Sequence, residues 1–254
     1  MTTPKTYLDN FFDYHRDEST RSAANLIPRI MNYYHPSSVL DVGCGIGTWL
    51  SVWERSGIND VFGLDGTYVK LEQLLIAKER FQPTDLNNKF DLKRKFDLVS
   101  CLEVAKHINK ESAQGLVDSI CNCGDLVLFS AAIPFQGGTM HVNEQFPDYW
   151  ITLFAKNDYI PVDCLRTEIW NDKNISWWYR QNIMFFVKRS ALDKYPHLRD
   201  SSKGKDVPAL VQPELFLYTA AKADNYEKAL RTPFSAFVYF AKRFYRWISG
   251  RNKK

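Results

Sequence analysis

Short apolar runs alternate with amphipathic stretches through most of the chain, which is the pattern of strands that alternate with helices. The apolar runs that predict buried strands lie near residues 39, 61, 97 and 126. Strands separated by helices pair in parallel through right-handed crossovers, so the pattern predicts an α/β sheet covered by helices. Two further apolar runs, at 159–162 and 183–187, predict strands that complete the sheet as an antiparallel hairpin.

Helices are predicted at both ends of the chain. Residues 7–34 predict an amphipathic helical cap, and two later stretches predict helices at about 213–230 and 233–249. Between the sheet and these last helices the composition turns to Lys, Asp, Pro and Ser, as in a connecting segment. The predicted organisation is a cap over 1–37, one sheet domain over 38–188, and a linker with C-terminal helices over 189–254.

A glycine-rich turn follows the first predicted strand. Residues 38–50 read S-V-L-D-V-G-C-G-I-G-T-W-L, an apolar strand that enters three alternating glycines and then a helix. Gly43, Gly45 and Gly47 permit positive φ and a close approach to a ligand, and the helix offers free amides to a carboxylate. The dinucleotide fingerprint G-x-G-x-x-G would need glycine at position 48, where the chain has Thr48.

Two carboxylates accompany this turn. Asp41 lies inside the strand before the glycines and suits a ligand that carries an ammonium group. Asp65 ends the next predicted strand, 18 residues beyond Gly47. This is the spacing of an acid that accepts hydrogen bonds from both hydroxyls of a ribose. A surface aspartate before a glycine turn is the alternative interpretation of Asp65.

The motifs over residues 38–130 resemble class I S-adenosylmethionine-dependent methyltransferases of the ubiquinone-biosynthesis type. The shared features are D-V-G-C-G-x-G, the acid after the second strand, an Asp-Leu pair at 85–86, and F-D-L-V-x-x-x-E-V-x-x-H-I from Phe96. The block at 129–150 and the segment W-Y-R-Q-N at 178–182 resemble bacterial methyltransferases commonly encoded among surface-polysaccharide genes. The likeness extends over roughly residues 7–188.

This resemblance implies a Rossmann-like, seven-stranded, mostly parallel sheet and S-adenosylmethionine as the cofactor. It implies cofactor binding by Asp41, Gly43, Gly45, Gly47, Asp65, Asp85 and Leu86. Asp85 is expected against the adenine amino group. One departure is visible, because Lys106 stands where many relatives have glutamate, and this leaves the local charge beside His107 open.

Methyl transfer to a hydroxyl requires a base, because the pKa of a hydroxyl lies far above 7. Two of the five histidines lie on loops at the predicted carboxyl edge of the sheet, where ligands bind in such folds. His141 lies in a glycine-rich loop with Glu144 beside it, and His107 follows the strand near residue 97. We therefore expect His141 or His107 to be the base. A loop histidine bonded to backbone is the alternative for each.

Aromatic residues gather late in the sheet domain, beside amides and an arginine. Sugar rings stack on aromatic faces, and a guanidinium such as that of Arg180 can hold a phosphate or carboxylate in two places. Such a composition suits a sugar or a sugar phosphate, although most of these aromatics equally suit a buried core. The side chains expected to contact the acceptor are Glu144, Trp178 and Arg180.

Charge and composition argue against several other classes. The net charge of +4 comes from residues 231–254, which hold seven basic and no acidic residues. The remainder, with 26 basic and 29 acidic residues, lacks the broad basic surface of a duplex-binding protein. The segment S-C-L-E after the fourth strand also lacks the Asn/Asp-Pro-Pro-Tyr/Phe motif that grips a flipped base. Five cysteines without a C-x-x-C pair indicate neither a disulfide framework nor a zinc site, and no other ligand spacing demands a metal.

The two ends of the chain bear on location. The first ten residues are polar and no apolar run reaches the length of a membrane span, so we expect a cytoplasmic protein. Residues 233–249 predict an amphipathic helix with large aromatics on one half and basic residues on the other. Such a helix suits the cytoplasmic face of a membrane. The alternative is that its aromatic half packs on protein.

The sequence therefore predicts an O-methyltransferase that acts on a saccharide hydroxyl in surface-glycan biosynthesis, with neither a metal nor a nucleic acid as partner. A methyltransferase on a small phenolic or quinone-type acceptor is one alternative. A cofactor-binding assembly subunit without catalytic activity is another, and metal assistance stays open.

Overall fold

A seven-stranded sheet forms the centre of the protein. The computed structural model describes residues 7–202, 206–231, 234, 236–242 and 244. The strands are β1 (Ser38–Val42), β2 (Asp60–Asp65), β3 (Phe81–Pro83), β4 (Leu98–Leu102), β5 (Leu126–Ser130), β6 (Tyr159–Val162) and β7 (Met184–Lys188). Their order across the sheet is β3-β2-β1-β4-β5-β7-β6.

Strands β1 to β5 pair in parallel, and β7 pairs antiparallel with both β5 and β6. The predicted Rossmann-like, mostly parallel sheet with antiparallel final strands is confirmed. Two helices separate β6 from β7 along the chain, so the expected hairpin has a helical connection instead of a tight turn. The chain moves outward from β1 to β3 and then returns to β4. The carboxyl ends of β1 and β4 therefore border the crevice where such sheets bind ligands.

Helices cover both faces of the sheet, because successive side chains of a strand point to opposite sides. In β1, Val39 joins the core layer of α1 and α2, whereas Leu40 and Val42 join the layer of α3 and α4. The helices are α1 (Tyr7–Tyr33), α2 (Thr48–Arg55), α3 (Ala113–Cys123), α4 (Pro147–Ala155), α5 (Leu165–Ile169), α6 (Trp177–Asn182), α7 (Pro196–Ser202) and α8 (Pro213–Leu230). The cap helix α1 is tied to the start of α6, since the Ser176 amide donates to Ser22 Oγ at 3.0 Å.

Two regions differ from the sequence-based expectation. The short β3 has no predicted counterpart, because three residues cannot show an alternating pattern, and its Pro83 is tolerated only because the strand lies at the sheet edge. The expected connecting segment after residue 188 contains a 3₁₀ helix, Arg189–Lys194, followed by α7. The polar residues of this segment lie on its outer face, whereas Ala191, Tyr195 and Leu198 are buried in the core.

The chain divides into two units, residues 1–210 and 211–254. The second unit begins with α8, where Phe216, Leu217 and Tyr218 are exposed. Of the predicted helix at 233–249, positions 234, 236–242 and 244 have helical backbone, and the other positions lie outside the described residues. Within the described part of the chain, no helix combines the length and the apolar character that a membrane span needs.

Candidate active site

The glycine turn between β1 and α2 has the geometry that the sequence predicts. Gly43, Gly45 and Gly47 have φ values of 84°, 56° and 83°, in the left-handed region. At Gly43 the lack of a side chain is also a steric necessity, because a Cβ there would lie 2.2 Å from Cγ2 of Val104. The turn that follows β4 therefore lies directly against the first glycine.

Asp65 is buried at the end of β2 and holds this turn in place. One carboxylate oxygen accepts the Gly45 amide at 2.6 Å, and the other accepts the Gly66 amide at 2.7 Å and the hydroxyl of Tyr68. Burial raises the pKa of Asp65 in spite of these three hydrogen bonds. An aspartate with this position and these partners is poised to accept further hydroxyl donors at the mouth of the glycine turn.

Asp41 is buried one strand away, in the middle of the sheet. Its carboxylate accepts a hydrogen bond from Ser100 Oγ of β4 at 2.7 Å. Burial raises the pKa of Asp41 to about 7, with a smaller contribution from the charge of Asp65, while the Ser100 hydroxyl acts in the opposite direction. A buried carboxylate of this kind is stabilised by a cationic ligand, because the cation offsets the cost of burying the negative charge.

The Asp85–Leu86 pair follows β3 at the side of the crevice. Asp85 is exposed, and its carboxylate accepts the Asn87 amide at 3.0 Å and Asn88 Nδ2 at 2.8 Å. Leu86 is buried in the layer of α3 and α4. The turn thus presents a fixed carboxylate to solvent beside an apolar anchor.

The turn after β4 has a strained backbone at Glu103, whose φ is 61°. Its amide donates to both the carbonyl oxygen and Oγ of Ser130 in β5, at 2.9 and 3.0 Å. Its carboxylate pairs with Lys106 Nζ at 2.8 Å and accepts Asn182 Nδ2 at 3.0 Å and Gln136 Nε2 at 3.3 Å. This buried polar cluster joins three segments that lie far apart in the sequence. Strained non-glycine residues concentrate at functional sites.

His107 and His141 lie side by side, with ring centroids 5.1 Å apart in an edge-to-face arrangement. His107 Nδ1 lies 3.1 Å from the carbonyl oxygen of Met140, and His141 Nδ1 lies 2.7 Å from Oε1 of Glu144. A carbonyl and a carboxylate only accept, so both Nδ1 atoms carry a proton. In the neutral form of each ring the lone pair is then on Nε2.

Both imidazoles have lowered pKa values. His107 is exposed as a residue, but its ring lies against the loop, and desolvation followed by the charge of Lys106 lowers its pKa to about 4. Desolvation also lowers the pKa of His141, although the bond to Glu144 opposes the change. At pH 7 both rings are therefore neutral, as a proton acceptor must be.

The Glu144 carboxylate accepts several hydrogen bonds within the loop that contains His141. Besides that ring, it accepts the Gly137 amide at 2.8 Å and the Phe135 amide at 2.9 Å. The sequence predicts contact between Glu144 and the acceptor, and the structure gives its carboxylate three partners within its own loop. That loop also exposes the apolar side chains of Phe135, Met140 and Val142.

The aromatic segment around α6 is largely internal. Arg180 is buried and donates from Nε to the Ile175 carbonyl at 3.0 Å and from Nη1 to the Trp170 carbonyl at 2.7 Å. Two of its guanidinium nitrogens thus donate to backbone carbonyls, and the sequence predicts that this guanidinium holds the acceptor. Trp178 is half-buried, with its ring next to those of Trp177 and Tyr179.

The structure brings most predicted positions to one edge of the sheet. The cofactor candidates surround the carboxyl ends of β1, β2 and β3, and the histidines lie beyond β4 and β5. Residues of the site that the sequence reasoning missed are Tyr68, Ser100, Gln136 and Asn182. Gln136 and Asn182 carried a signal, because they lie in the 129–150 and 178–182 segments. Ser100 and Tyr68 are single polar residues without a motif, and Ser100 bonds to Asp41 across 59 residues of sequence. Among the described residues, no three His, Cys, Asp or Glu side chains are grouped as a metal site requires.

S-adenosylmethionine fits this arrangement. The three left-handed glycines leave room for a methionine moiety, Asp41 offers a buried negative charge to its ammonium, and Asp65 offers an acceptor to its ribose. The sheet order, the glycine turn and these acids define the class I methyltransferase fold. The sequence model of the family described as methyltransferase domain matches residues 12–180, so the chain belongs to that family. It is an S-adenosylmethionine-dependent methyltransferase.

Solved structures of low sequence identity share the fold. Magnesium protoporphyrin IX methyltransferase from Synechocystis PCC 6803, solved with bound SAH, has a TM-score of 0.52 at 17% identity, over 74% of this chain and 90% of that one. An amino pentose methyltransferase from Micromonospora echinaspora, solved with bound SAM, has a TM-score of 0.52 at 15% identity. The match covers 74% of this chain and 100% of that one. An S-adenosylmethionine-dependent methyltransferase from Clostridium acetobutylicum has a TM-score of 0.52 at 12% identity. The match covers 70% of this chain and 98% of that one. A search of curated protein sequences finds no match.

Proposed function

We propose that the protein transfers a methyl group to a hydroxyl of a saccharide in surface-glycan biosynthesis. The observation that carries the hydroxyl assignment is the pair His107 and His141, because both Nδ1 atoms are used as donors and both neutral rings keep a lone pair on Nε2. An amine or a thiolate needs no such base. A hydroxyl does, since it must lose its proton as its oxygen bonds to the methyl carbon.

The cofactor and the side chains of the protein have separate tasks in this reaction. The cofactor supplies an activated methyl group, and the chain must align the acceptor, exclude water and take the proton. We assign proton removal to Nε2 of His141 or His107. Glu144 fixes the orientation of His141, and Asp41, the three glycines, Asp65, Asp85 and Leu86 hold the cofactor. Trp178 is the remaining candidate for a stacking face.

A saccharide is supported by the polar side chains that border the histidines. Glu103, Lys106, Gln136 and Asn182 provide carboxylate, ammonium and amide groups at one place, and sugar hydroxyls are bound by such mixtures of donors and acceptors. The surface-glycan context rests on the resemblance of the 129–150 and 178–182 segments. The acceptors named for the solved structures range from a porphyrin to an amino pentose, so they do not select one.

One observation favours a second candidate, a small phenolic or quinone-type acceptor. Phe135 and Met140 are 83% and 76% exposed in the loop that contains His141, and exposed apolar side chains of this kind suit a flat apolar molecule. A scaffold without catalytic activity is a third candidate, and it predicts cofactor binding without turnover.

Turnover of S-adenosylmethionine to S-adenosylhomocysteine, measured against nucleotide sugars, glycan fragments and phenols, separates these candidates. For a hydroxyl acceptor, His141→Ala or His107→Ala should lower kcat by about 10² to 10⁴ with little change in cofactor affinity. His197→Ala is the matched control, because His197 is exposed on α7, away from the crevice. A double His107/His141 variant that keeps its rate would contradict the base assignment. Cofactor binding without turnover on any acceptor would favour the scaffold.

We also propose that the reaction takes place in the cytoplasm, at the inner face of the membrane. In the second unit Phe234, Phe237 and Phe240 are 76%, 71% and 58% exposed, at spacings that place them along one side of a helix. The same stretch, residues 231–254, carries seven basic and no acidic residues, which complements anionic lipid headgroups.

Vesicle sedimentation tests this location. The full chain should sediment with anionic vesicles and much less with zwitterionic ones, and a chain lacking residues 232–254 should stay in solution. Replacing Phe234, Phe237 and Phe240 by Ser should weaken sedimentation and leave cofactor affinity unchanged. Equal binding with and without the tail would refute the membrane contact.

A further inference from the structure

Lys106 lies where the turn after β4 meets the loop after β5. Its Nζ is 2.8 Å from Oε2 of Glu103, and only 12% and 9% of the two side chains are exposed. Its carbonyl oxygen accepts the amides of Val142 and Asn143 at 2.9 and 3.0 Å. The turn that bears this ammonium is thus hydrogen-bonded to the His141 loop, and the ammonium itself is shielded from water.

The negative partner of this ammonium is firmly fixed. The Glu103 carboxylate also accepts Asn182 Nδ2 and Gln136 Nε2, and its backbone is held in a left-handed conformation by Ser130. Because each oxygen of the Glu103 carboxylate has a donor, this carboxylate keeps one geometry. Loss of either partner would leave a buried charge without compensation.

We propose that Lys106 is a positioning residue that supplies the fixed positive charge of the acceptor site and thereby keeps His107 and His141 neutral and able to accept a proton. The proposal rests on the proposed function, in which one of these rings is the base. A carboxylate at position 106 would favour protonated imidazoles instead.

The charges around the two rings act in opposite directions. Desolvation and Lys106 lower the pKa of both histidines, Glu103 raises both, and Glu144 raises that of His141. Each ring also faces the other, and a proton on His141 would further lower the pKa of His107. Removal of the ammonium alone leaves the two carboxylates unopposed, so both pKa values must rise.

The test is a titration of the imidazole carbon resonances by NMR in the purified full chain, which needs no acceptor. Lys106→Met should raise the pKa of His107 and of His141 by about one unit, while Lys106→Arg should leave both low. His197 is the internal control and should not move. Unchanged or lowered pKa values in a folded Lys106→Met protein would overturn the proposal.

A second variant covers the case in which Lys106→Met does not fold. The double change Lys106→Met and Glu103→Gln removes both members of the pair, so no uncompensated charge remains. Its histidine pKa values should lie above the wild-type values, by less than about one unit, because Lys106 acts on both rings more strongly than Glu103 does. Values at or below those of the wild type would overturn the electrostatic argument. Affinity for S-adenosylhomocysteine should be unchanged in Lys106→Arg, which keeps the ion pair with Glu103. If an active acceptor is found, the acid limb of the pH profile of kcat/KM should move to higher pH in Lys106→Met. If no acceptor is found, the NMR titration still tests the proposal, because it needs no acceptor.

Discussion

Asp65 provides the sharpest test of the cofactor site. Its carboxylate receives two backbone amides and the Tyr68 hydroxyl in the structure, and its assigned partners in the cofactor are the two hydroxyls of the ribose. We expect Asp65→Ala to weaken the binding of S-adenosylhomocysteine at least tenfold. Asp65→Asn should show a smaller loss, because it keeps one oxygen acceptor.

The magnitude follows from the hydrogen bonds that are lost. A hydrogen bond to a charged group contributes about 1.5 to 3 kcal/mol, and two of them are removed, while water compensates for part of the loss. A net loss of only about 1.4 kcal/mol is already tenfold in Kd. The Gly45 and Gly66 amides also lose their acceptor, so Asp65→Ala should lower Tm as well.

Tyr68 offers a matched control. Its hydroxyl occupies one of the acceptor positions of Asp65, so the ribose must displace it or share the carboxylate. Tyr68→Phe removes this competitor and should bind S-adenosylhomocysteine as tightly as the wild type or more tightly. Isothermal titration of folded Asp65→Ala, Tyr68→Phe and Gly45→Val measures the three effects. If Asp65→Ala and Gly45→Val both bind within twofold of the wild type, the cofactor assignment is wrong.

Two further predictions concern the same half of the site. The pKa of Asp41 is raised to about 7 in the folded protein, so the folded state binds more protons than the unfolded state between about pH 4 and 7. Without cofactor, stability should therefore fall as pH rises through this window, by an amount on the order of 4 kcal/mol at full ionisation, and Asp41→Asn should flatten the dependence of Tm on pH. A Tm that rises from pH 5 to 8 in the wild type but not in Asp41→Asn would contradict this. Gly43→Ala should destabilise the protein well beyond Gly57→Ala, because both have left-handed φ but only the Cβ at position 43 meets another side chain, and equal Tm values for the two would refute the steric argument.

The glycine turn and the acid at the end of β2 could be predicted from the sequence because their signals are local. A strand, three glycines and a helix occupy consecutive residues, and Asp65 follows at the end of the next strand. The left-handed turn at the three glycines is recognisable from consecutive residues, although Val104 and Asp65 also hold it from outside. The hydrophobic pattern likewise predicts six of the seven strands. It does not predict β3, because three residues are too few to show the alternation of a strand.

The acceptor half could not be predicted in the same way. Glu103 meets Asn182 across 79 residues of sequence, and Gln136 meets Asn182 across 46, so no local pattern reports these contacts. Arg180 illustrates a second limit of local patterns. An arginine among aromatic residues has the same sequence appearance whether it faces a ligand or caps buried carbonyls, and here the short helix α6 directs it to the carbonyls of Trp170 and Ile175.

The left-handed backbone of Glu103 explains how one turn serves both halves. Val104 fills the space over Gly43, so the residue after Glu103 must lie against the cofactor turn. The Glu103 side chain must at the same time reach Gln136 and Asn182 on the acceptor side. A φ of 61° at Glu103 reverses the chain sharply enough to satisfy both, and the two bonds from its amide to Ser130 offset the strain. A change that loosens this turn should therefore disturb the cofactor turn and the histidine loop together, even though no residue of the turn needs to contact both ligands.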